Sequence, residues 1–184
     1  MVDIMGHIAM GLLWTVPVWF VWTERVSLAF IGFAVVAALL PDIDRWLQWL
    51  VPRLVHHHGV VHTVAFVVAS SVLGGAVVAR ALDGPIDRWL ESERFDTTSL
   101  FVFAVAALLV GGLSHLFADM LSAPDVAQPI EPFWPVYEQV VSVDLLWYNS
   151  PWWNVGLLTV AVFLHLTIAY TSDTADHSYR IDST

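Results

Sequence analysis

The sequence contains no cysteine among its 184 residues. Disulfide bonds, thiolate zinc sites and thiol-based catalysis are therefore excluded. Any metal ion held by this chain must be coordinated by histidine, aspartate or glutamate side chains, with water completing the coordination shell. The chemistry available to the protein is that of imidazoles and carboxylates.

Basic charge is also scarce. All seven basic residues are arginine, whereas seventeen residues are acidic, which gives a formal net charge of −10. Nucleic-acid binding needs a basic stripe on the surface, so this composition argues against DNA or RNA as a partner. An acid excess without lysine is typical of proteins adapted to high salt, and it predicts a halophilic archaeal source.

Apolar residues, by contrast, are abundant: they make up 58% of the chain, whereas soluble domains contain roughly 45–50%. About 20 helical residues are needed to cross the ~30 Å core of a bilayer. We therefore predict an all-α integral membrane protein, a bundle of about five transmembrane helices surrounded by lipid. The apolar stretches that support this prediction cover residues 4–22, 26–40, 60–81, 100–121 and 152–170.

The second stretch is short, because Pro41 follows it directly. It either crosses a thinned or protein-lined region, or it continues through the following polar turn as a broken helix. The sequence contains no sign of a second domain or of an internal repeat. We expect one membrane domain over residues 1–172, followed by an acidic, disordered tail over residues 173–184.

Five spans would place the connections alternately on two sides of the membrane, here called face A (the N-terminal side) and face B. Residues 41–58 and 122–151 then lie on face A, and residues 82–99 and the C-terminus lie on face B. Most of the arginines belong to face B, so the positive-inside rule predicts that face B is cytoplasmic. Face A is then the extracytoplasmic side of the cell membrane.

The connection over residues 122–151 is unusually long and rich in proline and aromatic residues. A loop of this length is usually functional or disordered. Trp134, Tyr137 and Trp147 are typical of segments that lie at the membrane interface. We predict an interfacial aromatic loop, either as a lid over a site or as an aromatic belt with no further role.

Histidines and aspartates gather at one side of this topology. Ionisable groups in membrane segments are costly and are usually functional. Alternative explanations exist for each group alone, such as a helix cap at Asp42 or a hydrogen-bonded pair at His115 and Asp119. Their common location on face A nevertheless predicts a metal or proton-handling site. The residues that converge there are His7, Asp42, Asp44, His56, His57, His58, His62, His115 and Asp119.

Spacing refines this prediction. His115 and Asp119 are four residues apart and therefore project from one helix face, and His58 and His62 have the same spacing. Imidazoles and carboxylates without thiols suit Zn²⁺, with Mn²⁺ or Fe²⁺ as alternatives. The number of ligands would allow one ion or two.

Four short sequence blocks, taken together and in their order along the chain, resemble the YdjM-like family of membrane-bound, metal-dependent hydrolases. A Trp-Pro motif typically follows them in that family, and Trp134-Pro135 matches it. The resemblance covers most of the chain, from His7 to about Pro135. The blocks are Gly6-His7, Leu39-Leu40-Pro41-Asp42-Ile43-Asp44, His57-His58-Gly59-Val60-Val61-His62-Thr63 and His115-Leu116-Phe117-Ala118-Asp119.

This resemblance bears on the choice between two histidines. Helical spacing alone would pair His58 with His62, whereas the family pattern aligns His57 with its first histidine. His58 occupies the position where the family usually has arginine, which implies a substrate-contacting or supporting role; Arg45 and Arg53 would compensate for the missing arginine. The metal ligands implied are His7, Asp42, His57, His62, His115 and Asp119.

A more distant similarity is to the zinc-dependent phospholipase C and nuclease group, in which histidines and aspartates occur in the same order. That similarity implies one metal held by Asp42, His62, His115 and Asp119. It also implies a second metal held with the help of His7, with Asp119 bridging the two ions.

We therefore predict a membrane-embedded, divalent-metal-dependent hydrolase that acts on a phosphoester of a lipid or lipid-like substrate. Asp44 is expected to act as general base or to orient a ligand histidine, and Trp134 is expected to contact the substrate. Two alternatives stay open: a metal-ion or proton transporter, and a non-catalytic membrane protein with a structural metal site. The other two histidines, His165 and His177, are expected to have no role in the site.

Overall fold

The computed structural model describes residues 2–50, 58–82, 84–86 and 96–174. The regular secondary structure of these parts is helical, and they contain no strand, only two isolated β-bridges. The predicted all-α class is therefore confirmed. The six α-helices described from end to end are α1 (Ile4–Thr15), α2 (Glu24–Ala37), α3 (Ile43–Leu50), α4 (Val64–Ala81), α5 (Thr97–Leu121) and α6 (Leu157–Thr174).

The first apolar stretch changes from an α-helix to a tighter 3₁₀ helix partway along its length. After α1 the chain continues as a 3₁₀ helix over Val16–Phe20. Pro17 lacks an N–H group and cannot donate the next α-helical hydrogen bond. The N–H of Val16 bonds the Leu13 carbonyl instead, which is the tighter 3₁₀ pattern.

The second stretch breaks ahead of the polar turn. Helix α2 has 14 residues, and tight turns follow it, in which Leu39 N–H bonds Val36 O and Leu40 N–H bonds Ala37 O. The chain then resumes as α3, a strongly amphipathic helix of 8 residues. The short second helix predicted from Pro41 is confirmed, and the path of the chain corresponds to the broken-helix alternative.

Within the described part of the chain, three helices are long and apolar enough to cross a bilayer: Val64–Ala81, Thr97–Leu121 and Trp152–Thr171. The last of these begins with a π-helical turn, Trp152–Gly156. Ile4–Phe20 is apolar but shorter. The membrane-capable fold is thus present, whereas the count of five spans and the orientation of the faces stay predictions.

Helix α5 is the centre of the bundle, with α1, α2 and α4 packed around it. The contact with α2 is backbone to backbone: a Cβ atom on Gly111 would lie 1.9 Å from the carbonyl oxygen of Ala34. Towards the start of α5, large apolar side chains such as Trp19, Phe30 and Phe103 form a dry core. The buried histidines and aspartates of the cluster described below lie towards the opposite end of the same helices.

Residues 122–151 follow α5 without forming a helix. Backbone hydrogen bonds fix this segment to the end of α5, from Val143 N–H to Met120 O (2.9 Å) and from Leu145 N–H to Leu121 O (2.8 Å). Its buried Ile130 packs beside Val67 and Leu116. The segment is thus folded over one end of the bundle; its location at a membrane interface stays a prediction. Of the predicted tail, residues 175–184 lie outside the described residues.

Candidate metal centre

Helix α1 brings His7 into the bundle. Asp3 caps the helix by accepting a hydrogen bond from Ile4 N–H (2.7 Å), so that His7 lies about one turn inside it. The His7 imidazole is fully buried and stacks on that of His115, with ring centroids 3.8 Å apart. A histidine predicted from its place at a helix end is therefore in contact with a histidine from another helix.

The break between α2 and α3 supplies two carboxylates. Asp42 lies in the turn and Asp44 in the first turn of α3, and both are buried. Because Pro41 ends the preceding turn, these carboxylates extend from a bend rather than from one helix face. The bend directs Asp42 towards the histidines of α1 and α5, and Asp44 towards His62.

Two further histidines precede α4. His58 has a φ of 64°, a left-handed conformation that is uncommon for a residue other than glycine. Four residues later, His62 ends a short 3₁₀ turn, and Thr63 caps α4 by accepting from Phe66 N–H (3.1 Å). This local geometry brings both imidazoles to the same cluster, with ring centroids 4.7 Å apart.

His115 and Asp119 lie on one face of α5, as their spacing predicts. His115 Nδ1 is 2.7 Å from the carbonyl oxygen of Ala38 and must donate to it, because a carbonyl only accepts. His115 Nε2 is thus the ring nitrogen that faces the cluster, and it lies 3.1 Å from Asp119 Oδ2.

The same arrangement recurs at two other histidines. His58 Nδ1 donates to the backbone carbonyl of Gln128, and His62 Nδ1 lies 3.2 Å from Asp44 Oδ2. In each case an oxygen lies beside the outer ring nitrogen, and Nε2 is directed inward. Metal-binding histidines usually have such a partner on the ring nitrogen that faces away from the ion.

The inward-facing atoms have the spacing of ligands around an ion. Asp119 Oδ2 is 3.7 Å from His58 Nε2 and 3.6 Å from His62 Nε2, while Asp119 Oδ1 is 3.6 Å from His7 Nε2. These separations are too long for good hydrogen bonds. Ligands at about 2.0–2.2 Å from a tetrahedral ion would lie about 3.4 Å from one another.

The cluster also contains buried polar atoms that form no hydrogen bond with any described residue. Both ring nitrogens of His7 and both carboxylate oxygens of Asp42 are of this kind. Buried polar atoms are normally satisfied, and buried carboxylates need a compensating charge. A divalent cation would meet both requirements, so the residues present fit a metal ion.

The pKa values of His62 and Asp42, which lie in the turns, agree with this need for positive charge. Burial by itself lowers the pKa of His62, but the Asp42 and Asp44 carboxylates outweigh it and raise the pKa to about 9. Burial likewise raises the pKa of Asp42, but the neighbouring imidazoles, His62 first, hold it below its ordinary value. Without a cation, the cluster therefore binds a proton.

Three overlapping groups of side chains are positioned to bind a metal ion. His62, His115 and Asp119 each belong to two of the three groups, and this overlap is compatible with one ion or with two neighbouring ions. They are His7 with His115 and Asp119, Asp42 with His62 and His115, and His58 with His62 and Asp119.

The structure brings together most of the predicted site residues. His57 and Arg53 lie outside the described residues, as does His56. His58, expected to contact the substrate or to support the site, has its Nε2 within the cluster. Arg45 lies on α3 with an exposed side chain. Trp134 lies away from the cluster, in a groove beside Phe133 and Val64.

Sequence reasoning missed the backbone partners of the histidines. The Ala38 carbonyl orients His115, and the Gln128 carbonyl orients His58. Every residue has a backbone carbonyl, so the residue type does not indicate which carbonyl will accept such a bond. His165, by contrast, has a structural role: Trp19 Nε1–H donates to its Nδ1 (2.6 Å), and its Nε2 lies 2.8 Å from the Leu12 carbonyl oxygen.

The chain matches a known protein family over most of its length. Residues 1–178 match the family described as YdjM inner membrane protein, which confirms the resemblance predicted from the four sequence blocks. No curated protein matches the chain. No solved structure matches it either.

Proposed function

Because this chain belongs to the YdjM inner membrane protein family, we propose that it is a membrane-embedded, divalent-metal-dependent hydrolase of lipid phosphoesters. The observation that carries the proposal is the convergence of imidazole Nε2 atoms on the Asp42 and Asp119 carboxylates at ligand-like distances. A site that only stabilised the fold would need four ligands in a closed shell. The described cluster offers more.

The six described side chains with inward-facing donor atoms would hold the metal, for which we propose Zn²⁺, with Mn²⁺ or Fe²⁺ as alternatives. A divalent ion supplies Lewis acidity, which lowers the pKa of water and stabilises negative charge developing on a phosphoester oxygen. The side chains are His7, Asp42, His58, His62, His115 and Asp119.

The chain's own residues would orient these ligands. Asp44 is fully buried and faces His62 Nδ1, so we assign it the role of holding that imidazole, in preference to the role of general base. Asp44 Oδ2 also accepts from His58 N–H (3.2 Å), which ties the left-handed residue to the same carboxylate. Arg45 and Arg53 are the proposed substrate contacts; Trp134 lies away from the cluster, so we do not assign it this role.

The similarity to the zinc-dependent phospholipase C and nuclease group supports a phosphoester as substrate. The two oxygens of Asp119 face different partners: Oδ1 faces His7, and Oδ2 faces His58, His62 and His115. A carboxylate with this arrangement is suited to bridge two ions. Two-metal sites stabilise both the attacking and the leaving oxygen in hydrolysis.

A transporter would need polar groups along the depth of the membrane. Among the described residues, the end of the bundle opposite the cluster is filled by the dry apolar core. The histidine found there, His165, is committed to Trp19 and Leu12. This distribution of polar groups favours an enzyme over a transporter.

The test is to measure metal content and hydrolysis on the same purified samples. We expect stoichiometric metal in the wild type by mass spectrometry and a large loss in His62→Ala and in the isosteric Asp119→Asn. The matched control is His165→Gln, which alters a buried histidine outside the cluster and should retain the metal. Activity is measured with phospholipids and with a water-soluble phosphodiester across a metal series.

Wild-type metal content and activity in either ligand variant would contradict the proposal. Full metal content without hydrolysis of any tested phosphoester would contradict the hydrolase assignment but leave the metal site intact. Size-exclusion elution of each variant separates loss of ligand from loss of fold.

A further inference from the structure

The cluster opens towards an apolar groove. Of its described members, Asp42 has the most exposed side chain, at 11%, while those of His7, His62, His115 and Asp119 are at 0%. The groove beside Asp42 has a volume of about 390 Å³. It is lined by Asp42 and by five aliphatic side chains: Ile4, Val36, Leu39, Leu40 and Ile43.

The groove wall is continuous in sequence and in space. Val36, Leu39, Leu40 and Ile43 all line the groove and form an aliphatic stripe across the break between α2 and α3. Ile4, on α1, closes the other side of the groove one turn before His7. Two members of the cluster, His7 and Asp42, thus lie on the same segments as the groove lining, namely α1 and the break between α2 and α3.

A second, larger groove lies under the aromatic segment, lined by Val64, Ala65 and residues 133–137, with a volume of about 600 Å³. The described residues that line it include no member of the cluster. A molecule bound there would contact Trp134 but no candidate metal ligand. The smaller groove joins an apolar surface directly to the site.

We propose that the groove between α1 and α2 binds the hydrocarbon chain of a membrane lipid whose phosphate group occupies the metal cluster. The substrate then enters sideways from the bilayer, along Val36 and Leu40, and meets the site at Asp42. This inference rests on the proposed function, and it narrows the substrate to a phosphoester that carries a long apolar chain. An anionic phosphate suits the cation end of the groove, and the aliphatic stripe suits the chain.

Photolabelling of the full chain tests this proposal. The Zn²⁺-loaded protein is reconstituted in phosphatidylcholine vesicles that contain a trace of phosphatidic acid with a diazirine in its acyl chain. We expect saturable labelling of peptides that contain Ile4, Val36 or Leu40. Val36→Trp fills the groove and should reduce that labelling about tenfold, which corresponds to about 1.4 kcal/mol, without changing the zinc content.

The matched control is Val77→Trp. Val77 on α4 is 64% exposed, against 65% for Val36, but it lies outside the groove lining. The control should label as the wild type does. Unchanged labelling in Val36→Trp, or labelling concentrated on residues 133–137, would overturn the proposal.

Hydrolysis of a water-soluble phosphodiester separates this inference from the proposed function. If Val36→Trp keeps that activity and loses activity on phosphatidic acid, both are supported. If no phosphoester is hydrolysed but groove labelling is saturable and sensitive to Val36→Trp, the lipid site stands and the hydrolase assignment falls.

Discussion

Asp44 shows how a residue outside the ligand shell can determine the site. Its carboxylate faces His62 Nδ1 and accepts from the backbone of His58, so one buried side chain positions two histidines. A negative charge at this position also increases the basicity of the His62 ring. Asp44 should therefore influence metal affinity without being a ligand.

Replacing Asp44 by asparagine tests this role. Asp44→Asn keeps the shape and removes the charge, and we expect metal affinity to fall about 10- to 100-fold. The measurement is competition with a chromophoric chelator. Asp125→Asn serves as control, because Asp125 accepts from Tyr148 N–H in the segment after α5. Wild-type affinity in Asp44→Asn would show that His62 needs no carboxylate partner.

The residues of the site could be predicted from sequence to the extent that they share helix ends. His7, Asp42, His62, His115 and Asp119 were predicted from this common location, and they do meet. His58 was also predicted at this location, but its inward-facing Nε2 depends on a left-handed backbone conformation in the turn before α4, which the sequence does not reveal. Sequence spacing assumes regular helix and is silent about such a turn.

At the scale of elements, the crossing of α2 and α5 positions the centre. Gly111 contacts the backbone of Ala34, and one turn further along the two helices His115 bonds the carbonyl of Ala38. The close approach of the two backbones is what allows a side chain of α5 to reach a main-chain atom of α2. Separation of these helices should therefore affect both stability and the site.

Gly111→Ala is expected to push α2 and α5 apart. The added methyl group would overlap Ala34 O, so we predict a loss of about 1–3 kcal/mol in the free energy of unfolding and weaker metal binding. Gly32→Ala is the matched control: a Cβ there meets nothing within 4 Å. It should stabilise α2 slightly, because alanine favours helix over glycine. Thermal unfolding in detergent distinguishes the destabilisation expected for Gly111→Ala from the slight stabilisation expected for Gly32→Ala.

The elements themselves were predictable where apolar runs are long. Helices α4 and α5 and the helix starting at Trp152 agree with the predicted stretches to within a few residues. Helix α3 was predicted only as the broken-helix alternative for the second stretch, because residues 41–58 could also be interpreted as a connection and α3 is only two turns long. Its alternation of apolar and polar residues is a signal that a search for membrane spans overlooks.

For the molecule as a whole, a metal ion would link α1, the break between α2 and α3, the turns before α4, and α5. A ligand that binds only the folded state stabilises it, by about 2.7 kcal/mol at a concentration of 100 times its dissociation constant. A chelator should accordingly lower the thermal unfolding temperature of the wild type. It should have little effect on His62→Ala.

The same metal binding should strengthen with pH. In the metal-free protein the pKa of His62 is about 9, so at pH 7 the ion must displace a proton. Affinity should rise by about tenfold per pH unit as pH increases towards that pKa, and level off above it. Calorimetry in buffers of different ionisation enthalpy measures the released proton. Affinity that is constant between pH 6 and pH 8 would contradict this linkage.

The early end of α2 limits which substitutions this protein can accept during evolution. In a continuous helix the Ala38 carbonyl would accept from the residue four positions later; here the break leaves it to His115. Substitutions that extend α2 across Pro41 would improve the helix while withdrawing an acceptor from the metal centre. Thermal stability and metal affinity are therefore opposed at this bend, and selection for a sturdier helix alone would remove the site.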